Sequence, residues 1–503
     1  MLTIHLSIVV FLPLAAAVLA LLLPRRAAGW TVLLGTALVL AYAIAMIADL
    51  RPGTEGLSYV TDEEWIAELG IRWFLAVDGL SLFLVVLTAV LWFVGTLAAC
   101  FREWERPRLF FFQLALAETA VLGVFLAQDL AVFVLFFDLT LVPFYFLIGS
   151  FGEGERVRAT TKFVIYTLVG SLLMLAGAVA LGVLSAAGAG AELSFALPDL
   201  VERTLPEGTQ HWIFLLFAAA FLVKMPAFPL HGWMPDAYRA TPIPVLVLLS
   251  AVLSKLGAYG FLRFVLPILP DASAHFQELM LAIAVVSIIY GSALAFTQDE
   301  ARLVVGYSSI AQLGFIVLGI FSLRELGAQG AVFQMVNHGL VAAALFLVIA
   351  MLARRTAGSE SLEEMGGIAF RAPVLAALFL IVGLATLAMP GTPNFVGELL
   401  ILFGAFDGAL AFGLVASVGV ALAAVYMIRF YQRAMHNRVG PRVESRDLAG
   451  PELAALAPLV LVIVALGVYP QLVLSRTEAD TVASVTAAGE LADGGAAETA
   501  GAP

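Results

Sequence analysis

The sequence predicts an all-α polytopic membrane protein with fourteen transmembrane helices, two of them broken. Composition is the first reason. Of 503 residues 62% are hydrophobic and only 13% charged, about half the charge of an ordinary soluble domain. Mean hydropathy is +1.01. The second reason is the recurrence of apolar windows about 20 residues long, the length that spans a bilayer. The third is proline, which interrupts two of those windows beside a charged residue.

In chain order the windows fall at 2–23, 28–49, 78–100, 108–127, 129–150, 161–186, 212–230, 243–265, 277–297, 303–321, 329–353, 372–411, 413–434 and 454–475. No positive charge precedes the first window and Arg25 and Arg26 follow it, so it reads as a span and not as a cleavable signal. Eighteen of the 26 basic residues then fall in alternate loops, six lie on the other face, and two, Lys224 and Lys255, sit within spans. Basic loops stay inside, which predicts a bacterial cytoplasmic (inner) membrane protein with both termini outside. The stretch from Thr477 to Pro503 is rich in Ala, Gly, Glu and Asp and reads as a disordered acidic tail.

The seventh window ends in LVKMPAFPLHGWMPDA, where Pro226 and Pro229 follow Lys224. The twelfth contains LAMPGTPNFVGELL, where Pro390, Gly391 and Pro393 precede Glu398. Proline removes a backbone donor and clashes with the preceding turn, so both helices must break. Inside a bilayer such a break survives only where protein or a water-filled cavity covers it. The two breaks lie five helices apart. A tandem five-helix unit inserts in opposite orientations, the inverted-repeat plan of many transporters. The expected organisation is therefore spans 1–3 (1–105), a first repeat of spans 4–8 (106–270), an inverted second repeat of spans 9–13 (271–436), a loop with span 14 (437–476), and the tail (477–503).

Several chemistries are excluded. The single cysteine, Cys100, cannot form an internal disulfide or hold an iron–sulfur cluster. The six histidines, at 5, 211, 231, 275, 338 and 436, show no metal-ligand spacing, and no phosphate-binding or dinucleotide loop occurs. No metal and no redox cofactor is expected in this chain, and no basic block suggests nucleic acid.

What remains is buried charge, which costs at least ~2.5–3.5 kcal/mol per residue at the bilayer centre. Asp138 (span 5), Lys224 (span 7), Lys255 (span 8), His338 (span 11) and Glu398 (span 12) are the candidates. Read together they form a water-linked chain of titratable groups that loads and releases protons. The competing reading is a static ion pair, such as Asp138 with Lys224, that pins two helices. Glu118, His231 and Gln312 are secondary candidates. Asp78 and Asp129 lie near helix starts and read as caps.

Seven stretches carry a resemblance: LVPFYFLIG after Asp138, TTKFVIYTLVGSLLML, VKMPAFPLHGWMPDA, LSKLGAYGFLRF, RLVVGYSSIAQLGF, QMVNHGLVAAALF and GTPNFVGELLILFGAF. In this order, over about residues 70–435, they closely resemble the antiporter-like membrane-arm subunits of respiratory complex I, the proton-pumping NADH:quinone oxidoreductase. Glu398 points to the NuoM branch, since NuoL, NuoN and Mrp antiporter subunits typically place lysine there. The resemblance implies proton translocation driven by quinone reduction elsewhere. It places NADH, flavin, iron–sulfur clusters and quinone on partner subunits and implies NuoL-like and NuoN-like neighbours in the lipid. It also implies that Asp138 stands where a span-5 glutamate pairs with the lysine here at 224, and that Lys255, His338 and Glu398 continue the path. Two departures stand out. Asp138 is one methylene shorter than the usual glutamate, and Gln312 occupies a position where many relatives carry histidine. An Mrp-type proton/cation antiporter subunit is the alternative function, and a structural scaffold in a related assembly is a third.

Overall fold

The computed structural model describes residues 5–53, 56–444 and 446–500. The first three residues of the opening window (2–4), and residues 501–503 of the tail, lie outside these. Among the described residues the chain is helical apart from its loops and one hairpin. Helices α1 (Leu6–Leu22) and α2 (Ala28–Asp49) lead to strands β1 (Ser58–Ile66) and β2 (Ile71–Val77), then to α3 (Gly79–Cys100) and α4 (Pro107–Leu126). Among the described residues, eleven helical segments are long and apolar enough to cross a membrane, and Leu6–Leu22 and Pro373–Thr386 are shorter apolar helices.

The fifth window is two helices, α5 (Leu130–Leu139) and α6 (Leu141–Gly149), joined at Thr140. Pro143, in the first turn of α6, removes the amide that would have bonded back across the junction. Next come α7 (Arg156–Ala189), α8 (Leu197–Glu202) and α9 (Glu207–Lys224). As the prolines require, α9 stops at Lys224, and the chain resumes as α10 (Met234–Ala240). The Val223 carbonyl freed by this break accepts the Trp233 indole N–H at 2.9 Å.

The eighth window departs from expectation. It is not one helix but α11 (Ile243–Ala251), a 3₁₀ turn at Leu253–Lys255, α12 (Leu256–Gly260), a π-helical turn at Phe261–Val265 and α13 (Leu266–Ile268). No proline causes the break after Ala251. Instead, the Ser254 hydroxyl and the Lys255 ammonium donate to the Ser250 carbonyl at 2.6 and 3.2 Å, replacing backbone bonds. Such irregular backbone needs cover from lipid, and the whole of this span is buried.

The second part of the chain is α14 (Pro270–His275), α15 (Gln277–Thr297), α16 (Ala301–Phe321), α17 (Glu325–Arg355), α18 (Pro373–Thr386), α19 (Pro393–Gly408), α20 (Leu410–Met435) and α21 (Gly450–Val468). The break between α18 and α19 falls on the Pro-Gly-Thr-Pro stretch, with Ala388 and Gly391 both at positive φ. Helices α16 and α17 are buried over 94% of their apolar windows, whereas α2 and α20 are buried over only 39% and 33%. The former pair is therefore the centre of the bundle, and the latter turns residues such as Leu34, Leu38, Val415 and Val418 outward. Glycine lets α19 approach α17: a Cβ on Gly330 would lie 2.6 Å from the Ile401 amide nitrogen.

Arg302, at the start of α16, grips the first part of the chain. Its Nη1 donates to the carbonyls of Tyr238, Arg239 and Thr241 at 2.8–2.9 Å, while its other nitrogens bind Glu360. These carbonyls are the unsatisfied end of α10, where a cation is favoured by the helix dipole.

Two further elements were not foreseen. One is the antiparallel β1–β2 hairpin, whose Gly70 turns at φ +62. The other corrects the reading of the tail as disordered: α22 (Gln471–Ala500) is a helix. Its Val473, Thr477, Thr481, Val485 and Ala488 are buried at helical spacing, and it packs across α3, α14 and α17. Arg324 holds it through Asp493 at 2.5 Å. The expected caps are present. Asp78 accepts from the Ser81 amide, and Asp129 accepts from Ala131 and Val132.

Asp447 is an added cap, accepting from the first amides of α18, Val374 and Leu375, at 2.9 and 3.2 Å. Burial opposes its ionisation, but those amides, that of Leu448 and the Arg355 charge hold its pKa below the ordinary 3.8. A folded pKa below the unfolded one gives stability that is complete above the unfolded value and is lost as pH falls through the folded one. Asp447→Ala should therefore cost about 1 kcal/mol at neutral pH, read as a lower unfolding temperature. The difference from the parent should close below pH 3.8; a difference that persists there contradicts the cap.

Candidate functional site

The buried polar residues gather where helices break, in three hydrogen-bonded groups. The first surrounds Lys224, the last residue of α9, only 2% exposed. A cation at a helix C-terminus faces unsatisfied carbonyls and the negative end of the dipole. Its Nζ donates to the Thr140 hydroxyl at 2.7 Å and lies 4.7 Å from the centre of the Phe137 ring. Asp138 precedes Thr140 by two residues, yet no Asp138–Lys224 ion pair within 4.0 Å forms among the described residues. One Asp138 oxygen is buried without a hydrogen-bond partner. The carboxylate also borders a cavity of about 740 Å³ between β1–β2, α5 and α7, lined by Trp65, Leu135, Val142 and Leu175. Lys224 thus rests on the Thr140 hydroxyl and not on the Asp138 carboxylate.

The second group is central. Lys255 ends the 3₁₀ turn of the broken eighth span and is fully buried. Its Nζ lies 2.8 Å from His338 Nδ1 and 3.0 Å from the Ser254 hydroxyl. The far nitrogen of His338 lies 3.3 Å from the Ser309 hydroxyl on α16. A lysine and an imidazole in contact, both removed from water, cannot readily both be charged, because like charges at short range repel. Their state is therefore shared, and a proton gained by one opposes a proton on the other.

The third group follows the break at 387–392. Glu398, 2% exposed, lies in the second turn of α19. An anion belongs near a helix N-terminus as a cation belongs near its C-terminus, so Glu398 and Lys224 occupy complementary ends of two half-helices. Glu398 Oε1 accepts from Gln312 Nε2 at 2.8 Å, and Gln312 Oε1 accepts from Gln334 Nε2 at 2.7 Å. Asn337 Nδ2 donates to the Pro393 carbonyl at 3.1 Å. Glu398 Oε2, Gln334 Oε1, Asn337 Oδ1 and both polar atoms of the Asn394 side chain are buried without partners.

Groups two and three share two helices. Ser309 and Gln312 lie one turn apart on α16, and Gln334 and His338 lie one turn apart on α17. Residues so spaced share a helix face, so the contacts 309–338 and 312–334 are adjacent rungs. No hydrogen bond between described residues joins Lys224 to Lys255, or one rung to the next. Glu118 is fully buried on α4 with both oxygens unpartnered, apart from all three groups. His231 stacks between Phe228 and Tyr290 beyond the first break and also stands apart.

The five main candidates were named from charge alone, and this missed Thr140, Ser254, Ser309, Gln334 and Asn337. A signal was present for the α17 face: Gln334, Asn337 and His338 are spaced three and four residues apart in an otherwise apolar helix. Thr140 gave none, since a hydroxyl next to a proline-containing turn is usually a local backbone partner. Here it is also that, donating to the Phe137 carbonyl at 2.7 Å.

Residues 127–423 match the family model described as "NADH:quinone oxidoreductase/Mrp antiporter, TM". NADH-quinone oxidoreductase subunit M of Rhodobacter capsulatus is 37% identical over 93% of this chain and 94% of its own length. The subunit M of Escherichia coli strain K12 is 39% identical over 83% of each chain. A chain of respiratory complex I from Thermus thermophilus with bound NADH superposes with a TM-score of 0.86 at 32% identity, covering 95% of this chain and 99% of that one.

The separation of Asp138 from Lys224 leads to a structural expectation. Asp138→Glu adds about one C–C bond of reach, enough to draw Lys224 off Thr140 into a direct ion pair. A structure of the variant should show this; a lysine still bound to Thr140 alone would mean that the hydroxyl is its preferred partner.

Proposed function

Because the chain belongs to the NADH:quinone oxidoreductase/Mrp antiporter membrane family and matches subunit M of NADH-quinone oxidoreductase over nearly its full length, we propose that it carries protons across the bacterial inner membrane as a complex I subunit. The path runs from Asp138 and Lys224 through Lys255 and His338 to Glu398. The observation that carries the proposal is the buried 2.8 Å contact between Lys255 and His338. A purely structural pair would match opposite charges. Two bases in contact instead hold a proton between them and release it when a neighbouring charge changes.

In this reading redox chemistry belongs to partner subunits that hold NADH, flavin, iron–sulfur clusters and quinone. The flanking neighbours in the membrane arm are NuoL-like and NuoN-like. The fourteen windows all span, both termini lie outside, and residues 106–270 and 271–436 are inverted repeats whose broken helices carry Lys224 and Glu398. Between the three groups protons pass through water, and the unpartnered atoms of Ser250, Gln334, Asn337 and Glu398 are suited to order it. Gln312 orders water but does not titrate. Glu118 and His231 are secondary positions on routes into the axis.

The test is proton translocation by the purified complex in vesicles, driven by NADH. Lys224→Ala and Glu398→Gln should each sharply lower proton uptake while the complex still assembles. Normal pumping in both would defeat the assignment. Thr140→Val should lower pumping more mildly and Thr140→Ser should restore it, because only the hydroxyl is needed; equal defects in the two would show that size, not hydrogen bonding, matters. Asp138→Glu should retain activity, since it supplies a carboxylate with longer reach.

A further inference from the structure

Three potential metal ligands converge at the ends of α9 and α14 remote from the Lys224 break. Glu207 and His211 are four residues apart in the first turns of α9 and therefore share a face, with His211 Nε2 3.5 Å from Glu207 Oε1. His275, the last residue of α14, stacks on His211 with ring centroids 4.2 Å apart and planes 25° apart. Ligand atoms of all three lie within 4.8 Å of one another. His211 Nε2 has no hydrogen-bond partner. The spacing of the histidines along the sequence did not reveal this cluster, because the third residue comes from a different helix.

We propose that Glu207, His211 and His275 form a binding site for a divalent transition-metal ion of the zinc class. Two imidazoles and a carboxylate suit Zn²⁺ or Cu²⁺ and not Mg²⁺ or Ca²⁺, which demand oxygen. Bonds of about 2.0–2.2 Å to such an ion require the ligand atoms to draw closer than 4.8 Å. Glu207 and His275 are exposed and His211 is only partly covered, so rotation of the side chains can close this distance. The helices beneath are already registered: Gln210 donates to Asp271 at 2.6 Å and accepts from the Ala272 amide. Phe276 packs on Phe214 at 5.2 Å. Three protein ligands leave a fourth position for water, and the face is open to hydrated ions.

Binding would tie α9, whose other end is Lys224, to the short helix that links the two parts of the chain. The site is independent of the proton path, so it stands or falls on metal binding alone.

The experiment is equilibrium dialysis of Zn²⁺ against the intact purified complex, comparing the parent with His211→Gln and His275→Gln. Each variant should bind about one Zn²⁺ fewer per complex, with NADH oxidation in metal-free buffer unchanged. With Cu²⁺ as the probe, electron paramagnetic resonance should show two-nitrogen coordination in the parent and one-nitrogen coordination, or none, in each variant. The same Zn²⁺ count in the parent and both intact variants would overturn the proposal.

Discussion

A helix that stops inside a membrane exposes carbonyls or amides to lipid unless protein or water meets them, and every one of them needs a partner. That constraint organises the centre of this protein. Where α9 ends, the Trp233 indole takes the Val223 carbonyl, and Lys224 places an ammonium at the negative end of the helix. Where α11 ends, Ser254 and Lys255 turn back to the Ser250 carbonyl. Where α19 begins the orphaned groups are amides; Pro393 at the first position carries none, and Glu398 sits one turn inside the positive end. Of the charges that could move protons, Lys255 thus also answers an interrupted backbone, and Lys224 sits at the end of a broken helix.

Burial sorts the helices accordingly. The broken eighth span, α16 and α17 are shielded almost completely, while α2, α7 and α20 turn aliphatic side chains outward. In lipid there is no hydrophobic drive between helices, so close approach depends on small residues and polar contacts. Gly330 supplies the former against α19, and the 309–338 and 312–334 contacts supply the latter between α16 and α17. The polar axis is therefore part of what assembles the bundle.

Much of this was legible in the sequence, and the exceptions have physical causes. The breaks at 224–234 and 386–393 were visible because proline enforces them. The break at Val252 was not, since serine and lysine side chains create it and neither forbids helix. Charge marked Asp138, Lys224, Lys255, His338 and Glu398, because charge in an apolar window is costly. Neutral partners such as Thr140 and Gln334 carry no such cost and stayed hidden. The α22 helix escaped because its buried stripe is made of Thr, Ser, Ala and Val, too small and too polar to register as an apolar period. The β1–β2 hairpin escaped because its charged residues resembled a loop, although aromatic and branched residues alternate through IRWFLAV.

Gln312 donates to Glu398 with its amide nitrogen and accepts from Gln334 with its oxygen, so its dipole is held in one sense. An amide held this way stabilises charge on the acid but does not hand a proton along, because it has no titrating site of its own. In electrical terms it is a dielectric spacer and not a wire. In the proposed path the acid side would then couple to the Lys255–His338 side through the field between them, with conduction left to water.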